Sequence, residues 1–128
     1  LAEPGSIHVT GFVADVEEYI AKTAVFVIPL RVGGGMRVKL LQALAMARAT
    51  VSTSIGAEGI DVRHGQDILL ADNAAEFAHC VVQLLRDPEL RMRLGQNGRK
   101  LIETSYSWET ATDSLESVYR HTIQAKTM

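Results

Sequence analysis

Three consecutive glycines, Gly33-Gly34-Gly35, stand between an apolar run ending at Pro29-Leu30 and a stretch with helical periodicity, Met36 to Met46. Glycine lets backbone approach a ligand closely and adopt positive φ. A helix that begins just beyond such a turn presents unpaired N–H groups and the positive end of its dipole. That combination favours a phosphate or a carboxylate. Arg37 and Lys39 add full positive charge beside it. The neighbourhood is also free of acid. From Tyr19 to Ala57 there is no Asp or Glu, while Lys22, Arg31, Arg37, Lys39 and Arg48 give +5, leaving −7 on the rest of a chain whose net charge is −2. A field segregated in this way points to a local anion site; its plain alternative is a solvated basic face. The glycines fit neither G-x-G-x-x-G nor the P-loop, because no Gly-Lys-Ser/Thr follows. Alone they are equally a strand–helix connector, so the weight rests on glycines, helix start and basic field together.

The elements that would position this site alternate between two periods. Ile7–Thr10 is a β-branched run stopped by Gly11, and it reads as a strand. Asp15 caps a predicted helix to about Lys22, with Val16, Tyr19 and Ile20 on one face. Ala24–Leu30 reads as a strand buried on both faces, since its apolar residues do not alternate. A helix over Met36–Met46 carries Leu40, Leu41, Leu44 and Ala45. Thr50–Thr53 is another strand, followed by a glycine-rich loop from Ser54 to Gln66, and Asp67–Ala71 is the fourth. Asp72 or Asn73 caps a helix to about Arg86. Asp87-Pro88 opens the next helix, whose middle Gly95 and Gly98 should weaken. Ser107 caps the last, with an apolar stripe of Trp108, Ala111, Leu115, Val118 and Tyr119. Strands separated by helices imply parallel pairing and an open α/β sheet of about four strands, Rossmann-like, flanked by helices and followed by C-terminal helices. In such sheets ligands bind beyond the carboxyl ends of the strands, where the glycine triplet falls.

Composition narrows the classes. With 128 residues, residues 1–128 read as one domain. Hydrophobic residues make up 47% and charged residues 22%, which is ordinary globular usage rather than disorder. A slightly acidic charge balance and 5% aromatics argue against a nucleic-acid partner. No apolar run reaches the length of a membrane span. The N-terminus lacks the pattern of a signal peptide. A single cysteine, Cys80, excludes an intramolecular disulfide and is compatible with a reducing compartment, so a cytoplasmic location is expected. His8, His64, His79 and His121 form no metal-spaced pair, and no metal is expected. Cys80 reads as a half-buried thiol, Glu58 as a surface loop residue or ligand contact, and Ser54 with the backbone to Gly59 likewise.

Several motifs then occur in a fixed order. They are Gly11-Phe12-Val13 with Asp15; Val25-Phe26-Val27-Ile28-Pro29-Leu30; Gly33 through Met46, reading GGGMRVKLLQALAM; Val51-Ser52-Thr53; Gly56-Ala57-Glu58-Gly59-Ile60; and Tyr106-Ser107-Trp108-Glu109. Together they resemble the C-terminal part of glycosyltransferase group 1, the family 4 enzymes of the GT-B fold, over about Ile7 to Val118. The resemblance implies a donor-binding domain, incomplete on its N-terminal side, from a retaining enzyme that moves a sugar (hexosyltransferase type) from a nucleotide-sugar to an acceptor. It implies a UDP- or GDP-linked donor, no cofactor or metal, and a separate N-terminal acceptor domain. It also implies peripheral membrane association of the parent enzyme. The binding residues it points to are Gly33, Gly34, Gly35, Met36, Arg37, Lys39 and Gln42; the catalytic residues stay unassigned. Gln42 stands where the family carries a glutamate for the ribose hydroxyls, and Gly34 where it carries another. Ala47 replaces a glycine, at a cost of about 1 kcal/mol if positive φ is required there. The fragment alone is expected to be inactive and to self-associate through an exposed sheet edge. Two other readings stay open: a non-catalytic α/β module binding a phosphorylated small molecule, and a structural or interaction remnant.

Overall fold

A computed structural model describes residues 5–34 and 37–127. Its elements are α1 (Val16–Lys22), β1 (Phe26–Ile28), α2 (Val38–Ala45), β2 (Thr50–Ser52), β3 (Leu69–Leu70), α3 (Ala74–Arg86), α4 (Pro88–Ser105) and α5 (Trp108–Thr127). The three strands form one parallel sheet in the order β1-β2-β3, with Val27 opposite Val51 and Val51 opposite Leu69. Among the described residues the sheet therefore has three strands rather than four. Ile7–Thr10 takes no strand pairing, and its apolar side chains lie open, Val9 at 75% exposure. A β-branched run becomes a strand only beside a partner, and none reaches this one.

The pleat divides the core in two. Ile28 and Ile68 face α2 and pack with Leu40, Leu44, Ala57 and Ile60, while Phe26 and Leu70 lean on the same cluster. Val51 and Leu69 face the other way, against Leu84 of α3 and Leu94 of α4, with Phe77, Cys80 and Val81 alongside. Val27 shares that second face by register, yet it is 43% exposed. The expectation that this strand is buried on both faces therefore fails. Helix α3 packs on β2 and β3, and β1 is left as an edge strand with one face uncovered. The Ser54–Gln66 loop, by contrast, is partly core, because Ala57 and Ile60 close the α2 face.

Helix starts follow their caps. Asp15 accepts from the Glu17 amide at 3.1 Å, Asn73 from Glu76 at 2.9 Å, and Asp87 from Leu90 at 3.0 Å. The end of α2 is set differently. The Ala47 amide donates to the Leu44 carbonyl and the Arg48 amide to the Ala43 carbonyl, both at 3.0 Å. That pair of bonds is a Schellman motif, which places Ala47 in the left-handed region, at φ 56°. Helix α4 then crosses against this end. A Cβ on Gly95 would lie 2.3 Å from the Ala47 carbonyl oxygen, and one on Gly98 would lie 2.7 Å from Leu44 Cδ2. These two glycines, expected only to weaken α4, are what lets α4 and α2 approach.

Helix α5 is different again. Leu115, Val118, Tyr119 and Ile123 are exposed along its stripe. Among the described residues it makes no extensive packing contact with another element, and the Trp108 side chain falls outside the described part.

Two substitutions test the α2 terminus. Ala47→Gly should stabilise the chain by about 1 kcal/mol in urea unfolding, by removing the Cβ penalty at positive φ. Gly95→Ala should destabilise it by about 1–3 kcal/mol, because its methyl meets backbone that has no room to retreat.

Candidate functional site

The carboxyl end of the sheet is sewn together by one threonine. The Thr53 amide donates to the Ile28 carbonyl at 3.2 Å, and its hydroxyl donates to the Leu30 carbonyl at 2.5 Å. The same hydroxyl accepts from the Gly56 amide at 3.0 Å. Gly56 must be glycine here, since a Cβ would sit 2.5 Å from Ser52 Oγ and 2.9 Å from Ile28 Cγ2. The chain leaving β1 is thus anchored at Leu30 before it enters the glycine turn that leads to α2.

Helix α2 begins without a side-chain cap. Arg37 occupies the cap position with extended backbone, its carbonyl accepts from the Leu40 and Leu41 amides, and no acidic residue lies in the first turn. Helices α1, α3 and α4 each have both a capping side chain and an acid in the first turn. The start of α2 therefore keeps its positive end uncompensated.

Arg37 folds back over the turn. Its Nη1 donates to the Gly34 carbonyl at 3.1 Å, and Nη2 lies 2.6 Å from where a Gly33 Cβ would stand. Gly33 itself has φ 132°. The Nε and Nη2 atoms of Arg37 are buried with no hydrogen-bond acceptor among the described residues. A charged donor pair in that state lacks the acceptor that buried polar groups ordinarily find. Lys39 is exposed one residue into the helix, and Gln42 is half-buried one turn further on. Gly33, Gly34, Arg37, Lys39 and Gln42 thus share the turn and first turns of α2, while Gly35 and Met36 lie outside the described residues.

A cavity of about 580 Å³ opens at the carboxyl ends of all three strands, lined by Pro29, Arg31, Thr53, Ala71, Asp72 and Phe77 among others. Of the seven residues singled out from sequence, none of the five that are described lines it. Asp72 on its wall makes a contact that sequence reasoning missed. The Asp72 carboxylate accepts from the Ser54 amide at 2.8 Å and from the Ser54 hydroxyl at 2.7 Å. The signal was present in Asp72-Asn73: two adjacent capping residues, of which only one can cap. Asn73 caps α3, which leaves Asp72 to bind across to the β2 loop. The Ser54 amide holds the Asp72 carboxyl below its ordinary value of 3.8, the hydroxyl adds to this, and slight burial opposes both. Glu58 is exposed on its turn. Cys80 is half-buried against the second core cluster, and burial, followed by the charge of Glu76, pushes its thiol up.

A three-stranded parallel sheet with an uncapped, basic helix start beyond the carboxyl end of β1 defines an open α/β domain. Comparison with known proteins carries this further. Residues 1–87 match the model of the family described as glycosyl transferases group 1. The chain belongs to that family. It is 27% identical over 107 residues to an uncharacterized glycosyltransferase, MJ1178, of Methanocaldococcus jannaschii, covering 82% of this chain and 30% of that protein. It is also 27% identical over 118 residues to the alpha-D-kanosaminyltransferase of Streptomyces kanamyceticus, covering 89% and 30%. The chain thus spans less than a third of the length of these curated relatives. Among solved structures it is similar to the C-terminal domain of a group 1 glycosyl transferase (LpcC) from Francisella tularensis, with TM-score 0.69 and 24% identity, covering 77% of this chain and 52% of that one. Sucrose-phosphate synthase from Thermosynechococcus elongatus gives TM-score 0.67 at 22% identity, covering 84% and 27%. The fold is therefore that of a GT-B glycosyltransferase domain, as the motif order implied.

The Ser54–Asp72 contact has a pH signature. A carboxyl that titrates lower when folded than when unfolded contributes its full stability above the unfolded value, and that contribution is lost as pH falls through the folded one. Asp72→Asn should therefore be less stable than the parent near neutrality, and the gap should close in strong acid. Urea unfolding followed by circular dichroism at both pH values reads the difference.

Proposed function

We propose that this chain is the donor-binding portion of a retaining glycosyltransferase of the hexosyl-transferring kind, taking a UDP- or GDP-linked sugar. The observation that carries this reading is the start of α2, a helix N-terminus with no capping side chain beside an arginine whose buried Nε and Nη2 lack acceptors among the described residues. In it, the diphosphate sits against the first amides of α2, with Arg37 and Lys39 supplying charge. Negative charge builds on the leaving diphosphate as the glycosidic bond breaks, and donors fixed in advance stabilise it without reorganising. Two side-chain cations and a helix dipole provide that charge with no metal required. Gln42 reaches the ribose. Its amide oxygen accepts from one hydroxyl, and its NH₂ group donates to a neighbouring oxygen. A carboxylate there would instead accept two charge-assisted bonds. Without the acceptor domain the chain binds donor but transfers nothing, and its setting is cytoplasmic.

Calorimetric titration with UDP- and GDP-linked sugars tests this directly. The Arg37→Ala/Lys39→Ala double variant should lose at least about tenfold in affinity, since charge-assisted bonds are among the strong ones. Unchanged affinity would sink the proposed site. Gln42→Glu should do the reverse and tighten donor binding by roughly 1–3 kcal/mol, in line with hydrogen bonds to a charged group.

A further inference from the structure

The acid-free stretch from Tyr19 to Ala57 does not converge on one place. Arg31, Arg37 and Lys39 follow β1 at the carboxyl end of the sheet, whereas Lys22 and Arg48 precede β1 and β2 at the opposite, amino end. Lys22 is neutralised by Glu18 at 2.9 Å. Arg48 has no carboxylate partner among the described residues. Its Nε donates to the Met46 carbonyl at 3.2 Å, and its Nη1 donates to the carbonyls of Ala21 at 3.3 Å and Thr23 at 3.4 Å. Its backbone position is fixed by the Schellman bond to Ala43.

Arg48 lines a cavity of about 510 Å³, and Arg91 of α4 lines the same cavity. Arg91 is held in the same manner, with Nη1 donating to the last carbonyls of α3, Leu84 at 2.7 Å and Leu85 at 2.9 Å. Each guanidinium is thus tethered to neutral backbone oxygens, and among the described residues its Nη2 has no hydrogen-bond partner. Thr23, Ala47, Met92 and Gln96 add polar and apolar wall, and no Asp or Glu lines the space. Asp87 binds the Leu90 amide instead. Arg91 thus keeps its Nε–Nη2 edge and Arg48 its Nη2 for a further acceptor, and a tetrahedral dianion can accept from both.

We propose that this amino-end cavity is a second anion site that binds a phosphoryl group, separate from the donor site at the other end of the sheet. The volume exceeds that of the phosphoryl group and leaves room for the remainder of an ester beside Ala47 and Met92. A soluble phosphate ester and an anionic lipid headgroup share this chemistry.

The test is a titration of the chain with inorganic phosphate at constant ionic strength, read from the arginine Nε–H resonances. Saturable shifts at Arg48 and Arg91, with a dissociation constant on the order of millimolar, are expected. Met92 is 65% exposed and has no role at the donor end, so Met92→Glu sets a negative charge in the cavity without disturbing the fold. It should weaken phosphate binding at least about tenfold while leaving nucleotide-sugar binding unchanged. Co-sedimentation with phosphatidylcholine vesicles containing phosphatidylglycerol separates the two sources. Sedimentation lost in the Met92→Glu variant assigns the headgroup, and saturable phosphate binding without sedimentation assigns a soluble ester; either upholds the site. Absence of saturable shifts at both arginines, shifts confined to Arg37, or shifts unaltered by Met92→Glu would overturn it. None of those results measures nucleotide-sugar binding, so the donor site fails only by its own titration.

Discussion

The contact on which the domain turns is the meeting of the Ala47 carbonyl with Gly95. It fixes how α4 lies on α2. Because α2 is a rigid rod of eight residues, fixing its C-terminal end also fixes where its N-terminal end points. The left-handed residue, the two Schellman bonds and the missing side chain on α4 form one mechanical joint. The basic helix start sits at one end of the lever that this joint holds. Thr53 secures the opposite approach by tying Leu30 and Gly56 to the end of β2.

Electrostatics follow from that frame. Every other described helix carries an acid in its first turn, and the exception, α2, begins beyond the carboxyl end of β1. The same rule of satisfaction explains Asp72. A capping residue displaced by its neighbour finds two donors on Ser54, and its carboxyl stays ionised. On the amino side of the sheet, backbone carbonyls rather than carboxylates hold the arginines. They fix geometry without cancelling charge.

Much of this was readable in the residues, for definite reasons. Asp15, Asp87-Pro88 and the 3.6-residue periods marked their helices because capping and amphipathicity are local properties. The motif order identified the family because it sums many weak signals. The glycine turn and α2 were placed correctly relative to the strand end. What escaped depended on partners distant in the chain. Ile7–Thr10 has the composition of a strand but no neighbour to pair with. Val27 has the composition of core but no helix above it. Gly95 and Gly98 carry a propensity penalty that only the crossing of α2 explains. The Ser54–Asp72 bond spans eighteen positions, and no periodicity encodes it. The basic field was visible as a block of sequence, but its division between two ends of a sheet is a fact of topology.

Helix α5 leaves most of its apolar stripe in solvent, so tertiary packing contributes little to its stability. Its surface ion pair, Arg120 with Glu116, is solvent-exposed and adds only a few tenths of a kcal/mol at most. The helical content of Trp108–Thr127 therefore draws little support from the sheet. Amide hydrogen exchange along that segment becomes a gauge of its surroundings: fast when the apolar stripe meets only solvent, slow once any surface covers it.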